Sequence, residues 1–128
     1  MTNTPCGIVF NEQGEVLLVH RRFPPKTWGP PGGFPEGSEN PADTVEREVL
    51  EETGVTCVAL APLGDYLCEA SDSRLLLYVC DYLFGTLRCS YESTDVGWYP
   101  LHSLPEMLSP PKEIFLKAYD LYLLSKNI

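Results

Sequence analysis

The feature that most constrains the fold is one well-marked helix near the middle of the chain, between Asn40 and Gly54. Asn40 is a good N-cap, and Pro41 suits the first helical position because the N–H that it lacks would have no helical partner there. Gly54 can end the helix in the left-handed conformation that glycine adopts without steric cost. Between these limits small and apolar side chains recur at three- and four-residue spacing, which predicts a face packed on a core. These side chains are Ala42, Val45, Val49 and Thr53.

Strand-like segments lie on both sides of this helix. Before it, Cys6 to Phe10 and Val16 to His20 are apolar runs separated by a turn, which predicts a hairpin. The segment from Phe23 to Gly37 is rich in proline and glycine and is expected to be a loop. A second helix is expected from Lys112 to Ser125, and this order of elements predicts an α/β (α+β) sandwich, a mixed sheet covered by helices. Gly64, Asp72 and Gly85 are expected to separate the strands after the first helix, which are Val55 to Ala61, Tyr66 to Glu69, Arg74 to Phe84 and Val96 to Tyr99.

The length of 128 residues and the apolar content of 44% fit a single domain, residues 1–128, with one substantial core. No stretch has the roughly 18 consecutive apolar residues of a membrane span, and residues 1–10 lack the basic-then-apolar order of a signal peptide. We therefore expect a cytoplasmic protein with no membrane partner. The five cysteines form no C-x-x-C pair, so buried thiols explain them better than disulfides or a zinc site.

Negative charge is concentrated in the segment that contains the first helix. The chain has a formal net charge of −9, and residues 33–55 contribute −6 of it, from seven carboxylates and one arginine. A surface of this sign repels phosphate-rich partners, so we do not expect binding to nucleic acid polymers. The local excess of charge is repulsive unless solvent or cations neutralise it.

Three of these carboxylates share one face of the predicted helix. Glu48, Glu51 and Glu52 are spaced i, i+3 and i+4, so they fall within one turn. An acidic stretch of this kind is ordinarily an exposed, solvated surface. A hard divalent cation is favoured here because like charges at this spacing destabilise a bare helix, and because a stiff glycine loop, Trp28 to Gly33, immediately precedes it.

The same segment resembles the signature of a known family, the Nudix hydrolases. Gly33, Glu39, Arg47-Glu48-Val49, Glu51-Glu52 and Gly54-Val55 reproduce the complete Nudix box, G-x5-E-x7-R-E-U-x-E-E-x-G-U, where U is a bulky aliphatic residue. No fixed position departs from the pattern, and chance would produce it on the order of once in ten million chains of this length. The flanking sequences around the box are also similar to those of the family.

The resemblance implies a Nudix-type αβα sandwich in which a loop-helix-loop motif holds Mg²⁺ or Mn²⁺ on a pyrophosphate. By their positions in the motif, Glu48, Glu51 and Glu52 would be metal ligands. The carbonyl oxygen of Gly33 would be a further ligand.

The resemblance also implies catalytic roles for residues that do not all bind the metal. Arg47 and Glu39 would orient the other acids through an ion pair. A carboxylate would act as base on the attacking water, and the alternative for Asp95 is a loop-capping aspartate. The candidates for the base are Glu51, Glu52 and Asp95.

A basic cluster, Arg21, Arg22 and Lys26, lies in the segment that leads into the box. Guanidinium groups bind phosphate through two hydrogen bonds, so this cluster is a candidate for substrate binding, although exposed arginines at a strand end are also common. Trp28 could stack on a nucleobase or anchor the proline-rich loop to the core, and we favour the second.

The implied function is hydrolysis of a diphosphate linkage in a nucleoside diphosphate derivative, a small-molecule nucleotide. Nucleoside triphosphates, nucleotide sugars such as ADP-ribose, and dinucleoside polyphosphates are all open as substrates, and so is formation of a homodimer. The alternative is a non-catalytic Nudix domain that serves as a nucleotide sensor or interaction module. The complete set of box carboxylates favours the enzyme.

Overall fold

A computed structural model describes residues 1–69 and 72–126, which form a six-stranded mixed sheet between two helices. The strands follow the order β3-β2-β1-β5-β4, and β6 pairs with β2. Strands β1 and β5 are parallel, and the other pairs are antiparallel, so the predicted α+β class with a mixed sheet is confirmed. The elements are β1 (Thr2–Phe10), β2 (Val16–Arg21), β3 (Trp28–Gly29), α1 (Pro41–Thr53), β4 (Thr56–Cys68), β5 (Ser73–Phe84), β6 (Ser93–Tyr99), a 3-10 turn (Leu101–Ser103) and α2 (Lys112–Lys126).

The two helices lie on opposite faces of the sheet because alternate side chains of a strand point in opposite directions. From β1, Ile8 and Phe10 pack in the same cluster as Phe115 of α2. Val9, between them, packs in a second cluster with Val45 of α1. Each of these side chains is fully buried, and burial of one such side chain contributes about 1.5–3 kcal/mol. One strand therefore anchors both helices, which is the αβα sandwich.

Both predicted ends of helix α1 are confirmed. The Asn40 side chain accepts a hydrogen bond of 2.9 Å from the backbone N–H of Asp43. At the other end Gly54 has a φ of 81°, and its N–H donates to the carbonyl of Leu50. The buried residues of α1 also include Thr44 and Glu52, which the apolar spacing did not indicate.

The prediction of two strands between Val55 and Glu69 is wrong, because this region forms one 13-residue strand, β4. Gly64 was expected to break it. The antiparallel pairing with β5 continues past Gly64 as far as Cys68, and register shifts between Pro62 and Gly64 absorb the irregularity. Pairing with a long partner strand thus outweighs the local preference of one glycine.

Three smaller differences concern the loop, the first strand and one cysteine, and the first two come from pairing between distant segments. The expected loop from Phe23 to Gly37 contains β3, whose residues Trp28 and Gly29 pair with β2. Strand β1 begins at Thr2 rather than Cys6, because its first residues pair with β5. Cys89 is exposed, so burial fails for this cysteine although it holds for others. Among residues 1–69 and 72–126, neither helix is long and apolar enough to span a membrane.

Candidate active site

The glycine loop of the box is seated against β1 at a place where β1 and β2 separate. Strands β1 and β2 pair at the hairpin, at Phe10 and Val16, and the exposed edge of β1 beyond that point is taken by the loop. The N–H of Gly7 donates to the carbonyl of Pro31 at 2.9 Å, and the N–H of Gly33 donates to the carbonyl of Pro5 at 3.1 Å. The backbone of the loop is therefore fixed to the sheet.

Glycine is required at Gly32 because the loop passes so close to β1. A Cβ atom there would collide with the carbonyl oxygen of Pro5 and would lie 2.6 Å from the sulfur of Cys6. The N–H of Gly32 donates a 2.7 Å hydrogen bond to Oε2 of Glu52. The close packing of the loop on β1 thus places the N–H of Gly32 within hydrogen-bond distance of the Glu52 carboxylate.

Glu52 is a buried carboxylate at the junction of loop, sheet and helix. Only 5% of the residue is exposed. Burial raises the pKa of its carboxyl to about 8, and the hydrogen bond from Gly32 opposes that shift without cancelling it. Glu52 is thus poised either to hold a proton or to be neutralised by a cation.

Glu48 lies one helical turn before Glu52, against the backbone of Gly33. A Cβ atom on Gly33 would lie 2.5 Å from Cδ of Glu48, so a side chain there would displace the carboxylate. Burial raises the pKa of Glu48, and a hydrogen bond from Arg47 opposes the shift. The box glycine therefore serves the close approach of Glu48 to the loop backbone.

Arg47 connects the carboxylates of the box. Its guanidinium binds both oxygens of Glu39, with N–O distances of 2.9 and 3.0 Å. It also contacts Glu48 at 2.9 Å and Glu51 at 3.0 Å, and it donates to the carbonyl of Phe34 at 2.9 Å. Hydrogen bonds from Arg47 lower the pKa of Glu39 to about 2. The expected ion pair between Arg47 and Glu39 is present in this geometry, and it extends to the other box acids.

Thr44 is a member of this network that the sequence did not reveal. Its hydroxyl donates to Oε1 of Glu39 at 2.8 Å, and the residue is fully buried. The donor matters because it fixes the second oxygen of the carboxylate that holds Arg47.

The three predicted metal-ligating carboxylates are not equally close to one another. Glu48 and Glu52 face the glycine loop, and the charge of Glu48 adds to the rise in the pKa of Glu52 that burial causes. Glu51 turns toward Arg47, with 54% of its side chain exposed. In the described part of the chain, no three His, Cys, Asp or Glu side chains surround a common metal position. The helix therefore presents one buried carboxylate, Glu52, a partly buried one, Glu48, and an exposed one, Glu51, and Arg47 binds the last two.

A cavity of about 550 Å³ opens beside Glu48. That volume is within the range of roughly 300–1,000 Å³ found for small-molecule sites. Gly33 and Glu48 line it from the box, and two exposed aromatic residues, Phe23 and Phe34, line it from the loop. The cavity therefore combines carboxylates with flat apolar surfaces.

Glu92 also lines this cavity, and the sequence analysis missed it. It precedes β6, and the pairing of Ser93 with Arg21 brings it beside the end of β2. Asp95, the residue that was proposed instead, is exposed and accepts a 2.8 Å hydrogen bond from the N–H of Val96. It is not among the residues that line the cavity. No local pattern marks Glu92, because its place depends on the pairing of β6 with β2.

The basic residues differ in their surroundings. Arg21 lines the cavity and donates to the carbonyl of Pro30 at 3.0 Å. The guanidinium of Arg22 donates to the backbone carbonyls of Tyr91 and Ser93. Lys26 is exposed.

Trp28 is packed between side chains of the protein. Its ring stacks on His20 with the centroids 4.7 Å apart, and it meets the ring of Tyr99 edge-on at 5.2 Å. Its backbone N–H and carbonyl bind Met107 and Ser109. These contacts are those of an anchor for the loop.

Comparison with known proteins gives a consistent family. Residues 2–119 match the NUDIX domain. The MutT-like protein of Streptomyces ambofaciens is 35% identical over 104 residues, which cover 81% of this chain and 67% of that protein. The NAD-capped RNA hydrolase NudC of Vibrio atlanticus is 32% identical over 106 residues, which cover 80% of this chain but only 39% of NudC. The chain thus spans about two fifths of the length of that relative.

The fold is also that of solved Nudix enzymes. An ADP-ribose pyrophosphatase from Streptococcus suis superposes with a TM-score of 0.78 at 21% identity, over 94% of this chain and 90% of that chain. This likeness confirms the predicted Nudix-type sandwich. The domain match over residues 2–119, with the 35% identity to the MutT-like protein, shows that the chain belongs to the Nudix hydrolase family.

Proposed function

We propose that this chain hydrolyses the diphosphate linkage of a nucleoside diphosphate derivative with Mg²⁺ or Mn²⁺ as cofactor. The products would be a nucleoside monophosphate and the phosphorylated leaving group. The observation that carries the proposal is the pair of carboxylates that face the glycine loop, the buried Glu52 and the partly buried Glu48, of which Glu48 lines the cavity with Gly33. Two like charges withdrawn from water side by side are stabilised when one is protonated or when a cation neutralises them. A divalent ion bound to a diphosphate meets that need.

The donor set fits an ion that is bound jointly by protein and substrate. Mg²⁺ prefers oxygen ligands, and proteins commonly supply one or two carboxylates while phosphate oxygens and waters complete its shell. Glu48 and Glu52 would supply these carboxylates, and the Gly33 carbonyl would add a neutral oxygen. Glu51 would become a further ligand if its ion pair with Arg47 were replaced by a bond to the ion. When bound, the ion would neutralise the charge that develops on the phosphates.

The hydrolysis also needs a proton acceptor. The oxygen of water forms a bond to phosphorus as the bridging P–O bond breaks, and a carboxylate takes the proton from the water. We favour Glu92 over Asp95 for this role, because Glu92 lines the cavity beside Glu48. Glu51 and Glu52 are the candidates from the box.

Substrate binding is proposed for residues that line the cavity. Arg21 is favoured over Arg22 and Lys26 as the contact for a substrate phosphate, because its side chain borders the cavity. The exposed rings of Phe23 and Phe34 offer surfaces on which a nucleobase can stack. These two rings, rather than the ring of Trp28, are therefore proposed to stack on the nucleobase.

Several classes of substrate are candidates, because the relatives carry different names. One is a MutT-like protein, and another is named for hydrolysis of NAD-capped RNA. The net charge of −9 argues against long contacts with a nucleic acid polymer, but it does not exclude an RNA whose capped end alone enters the cavity. Such an end belongs among the substrates to be tested.

The proposal is tested by incubating the chain with nucleoside triphosphates, ADP-ribose, NAD⁺, dinucleoside polyphosphates and NAD-capped RNA, with Mg²⁺ or Mn²⁺, in ¹⁸O-labelled water. We expect at least one diphosphate linkage to be cut, with one ¹⁸O atom in one phosphorylated product, and no reaction in EDTA. The variant Glu52→Gln tests the role of this carboxylate, and it should lower the rate at least about tenfold. Tight binding of a nucleotide without turnover of any substrate would favour the sensor or interaction module instead.

A further inference from the structure

The segment that carries Glu92, residues 85–92, joins β5 to β6 and contributes Glu92 to the lining of the cavity. It contains no helix or strand of its own within the described chain. Contacts with the rest of the protein therefore decide where Glu92 lies. Two arginines provide polar contacts, one at the middle of the segment and one at its C-terminal end.

Arg88 ties the middle of the segment to the last turn of α1. Its guanidinium donates to the backbone carbonyls of Glu51 at 3.1 Å and Leu50 at 3.2 Å. Its backbone N–H donates to the carbonyl of Thr53 at 2.9 Å. The last turn of α1 holds no basic residue of its own, so Arg88 supplies the positive charge that the carbonyl end of a helix favours.

Arg22 ties the C-terminal end of the segment to β2. Its backbone N–H donates to the carbonyl of Glu92 at 2.9 Å. Its guanidinium donates to the carbonyl of Tyr91 at 2.7 Å and to that of Ser93 at 3.4 Å. The same guanidinium lies 5.8 Å from the centre of the Tyr91 ring. Glu92 is thus bracketed by contacts from one side chain.

Both guanidinium groups bind backbone carbonyls, and neither residue is among those that line the cavity. The two arginines therefore connect Glu92 to the helix turn that carries Glu51 and Glu52, and to the strand that borders the cavity. Lysine cannot reproduce either contact, because its single ammonium lacks the planar fork that reaches two carbonyls at once.

We propose that Arg22 and Arg88 are positioning residues that hold Glu92 at the cavity opposite the carboxylates of α1. Neither arginine contacts the substrate. Their effect on turnover passes through Glu92. This inference rests on the proposed hydrolysis and adds a role for two residues outside the Nudix box.

The test is a set of double-mutant cycles on the best substrate of the panel. The variants are Arg88→Ala, Arg88→Lys, Arg22→Ala, Glu92→Gln and the two doubles that combine an arginine-to-alanine change with Glu92→Gln. Arg74→Ala, an exposed arginine on β5, is the matched control and should match the parent. Arg88→Ala, Arg22→Ala and Glu92→Gln should each lower kcat about tenfold with less than about a threefold change in KM, and the kcat of Arg88→Lys should fall between those of Arg88→Ala and the parent. Each double should be as active as Glu92→Gln alone, within about twofold.

A readout that does not depend on activity accompanies the kinetics. Hydrogen exchange should be faster in residues 85–92 of Arg88→Ala and of Arg22→Ala than in the parent, and unchanged in the core strand β1. Unchanged exchange in residues 85–92 would overturn the inference even if no substrate were cleaved. Retained β1 protection shows that the variants are folded.

Three kinetic outcomes would also overturn the inference while leaving the proposed hydrolysis intact. A rise in KM at constant kcat for Arg22→Ala would make Arg22 a phosphate contact. Effects of Arg88→Ala and Glu92→Gln that multiply would show that Arg88 acts independently of Glu92. Full activity of Glu92→Gln would remove the residue through which both arginines are proposed to act. Absence of any hydrolysis by the parent would instead contradict the proposed function.

Discussion

Replacing Glu52 with glutamine should make the free energy of unfolding of the metal-free protein less sensitive to pH between pH 6 and pH 8. Glutamine keeps the size of the side chain and an oxygen that can accept the hydrogen bond from Gly32. It removes the buried acid whose pKa burial raises from 4.5 to about 8. The free energy of unfolding is therefore expected to depend on pH differently in the two proteins.

The sign follows from proton binding. Because the pKa of Glu52 is higher in the folded state, the folded protein holds a proton that the unfolded chain has released. This stabilisation is fully present below pH 4.5 and is lost as the pH rises through about 8. Since one pKa unit corresponds to 1.36 kcal/mol, the loss between about pH 6 and pH 8 is about 2 kcal/mol. The thiol of Cys6, whose pKa burial raises to about 12, stays protonated throughout this range.

The assay is urea unfolding in EDTA at the two pH values for the parent and for Glu52→Gln. The free energy of unfolding of the variant, minus that of the parent, should increase by about 2 kcal/mol from about pH 6 to pH 8. Glu51→Gln is the matched control on the same helix turn, since the Glu51 side chain is 54% exposed, and it should show little of this increase. A difference between Glu52→Gln and the parent that is independent of pH would refute the reasoning.

Three further predictions concern the box and the cavity. Gly33→Val should lower kcat/KM at least about tenfold in a folded protein, because the new side chain occupies the place of the Glu48 carboxylate; normal kinetics with an unchanged circular dichroism spectrum would contradict it. Arg47→Lys should lower kcat about tenfold, since lysine cannot bind both oxygens of Glu39, and a steady-state assay that finds kcat unchanged would count against the network. Phe34→Ala should raise KM for a nucleoside diphosphate derivative about threefold or more and leave kcat nearly constant; equal KM values in the two proteins would exclude stacking at Phe34.

The local signals in the sequence predicted the elements that surround the box. Helix α1 was located from Asn40 and Gly54 because both act on the backbone within a few residues. The box acids were assigned because their spacing on a helix fixes their shared face. The ion pair between Arg47 and Glu39 followed from the family pattern and has the expected geometry.

The errors concern residues whose surroundings come from distant parts of the chain. The break expected at Gly64 is absent because pairing with β5 carries β4 past it. Glu92 was missed because the pairing of β6 with β2 brings it to the cavity. The surroundings of Arg22 could not be foreseen for the same reason, since its carbonyl partners are about 70 residues away in the sequence. Composition and periodicity carry no information about such pairings.

The central claim, that Glu48 and Glu52 hold a divalent ion on a nucleotide diphosphate, is tested most directly by anomalous diffraction. Crystals would be soaked with Mn²⁺ and a methylene-bridged analogue of a nucleoside diphosphate derivative, in which the cleavable oxygen is replaced. We expect a manganese peak within about 2.5 Å of a carboxylate oxygen of Glu48 or Glu52 and of a phosphate oxygen of the analogue. A nucleotide seated in the cavity with manganese bound elsewhere, or with no manganese beside these two carboxylates, would contradict the account.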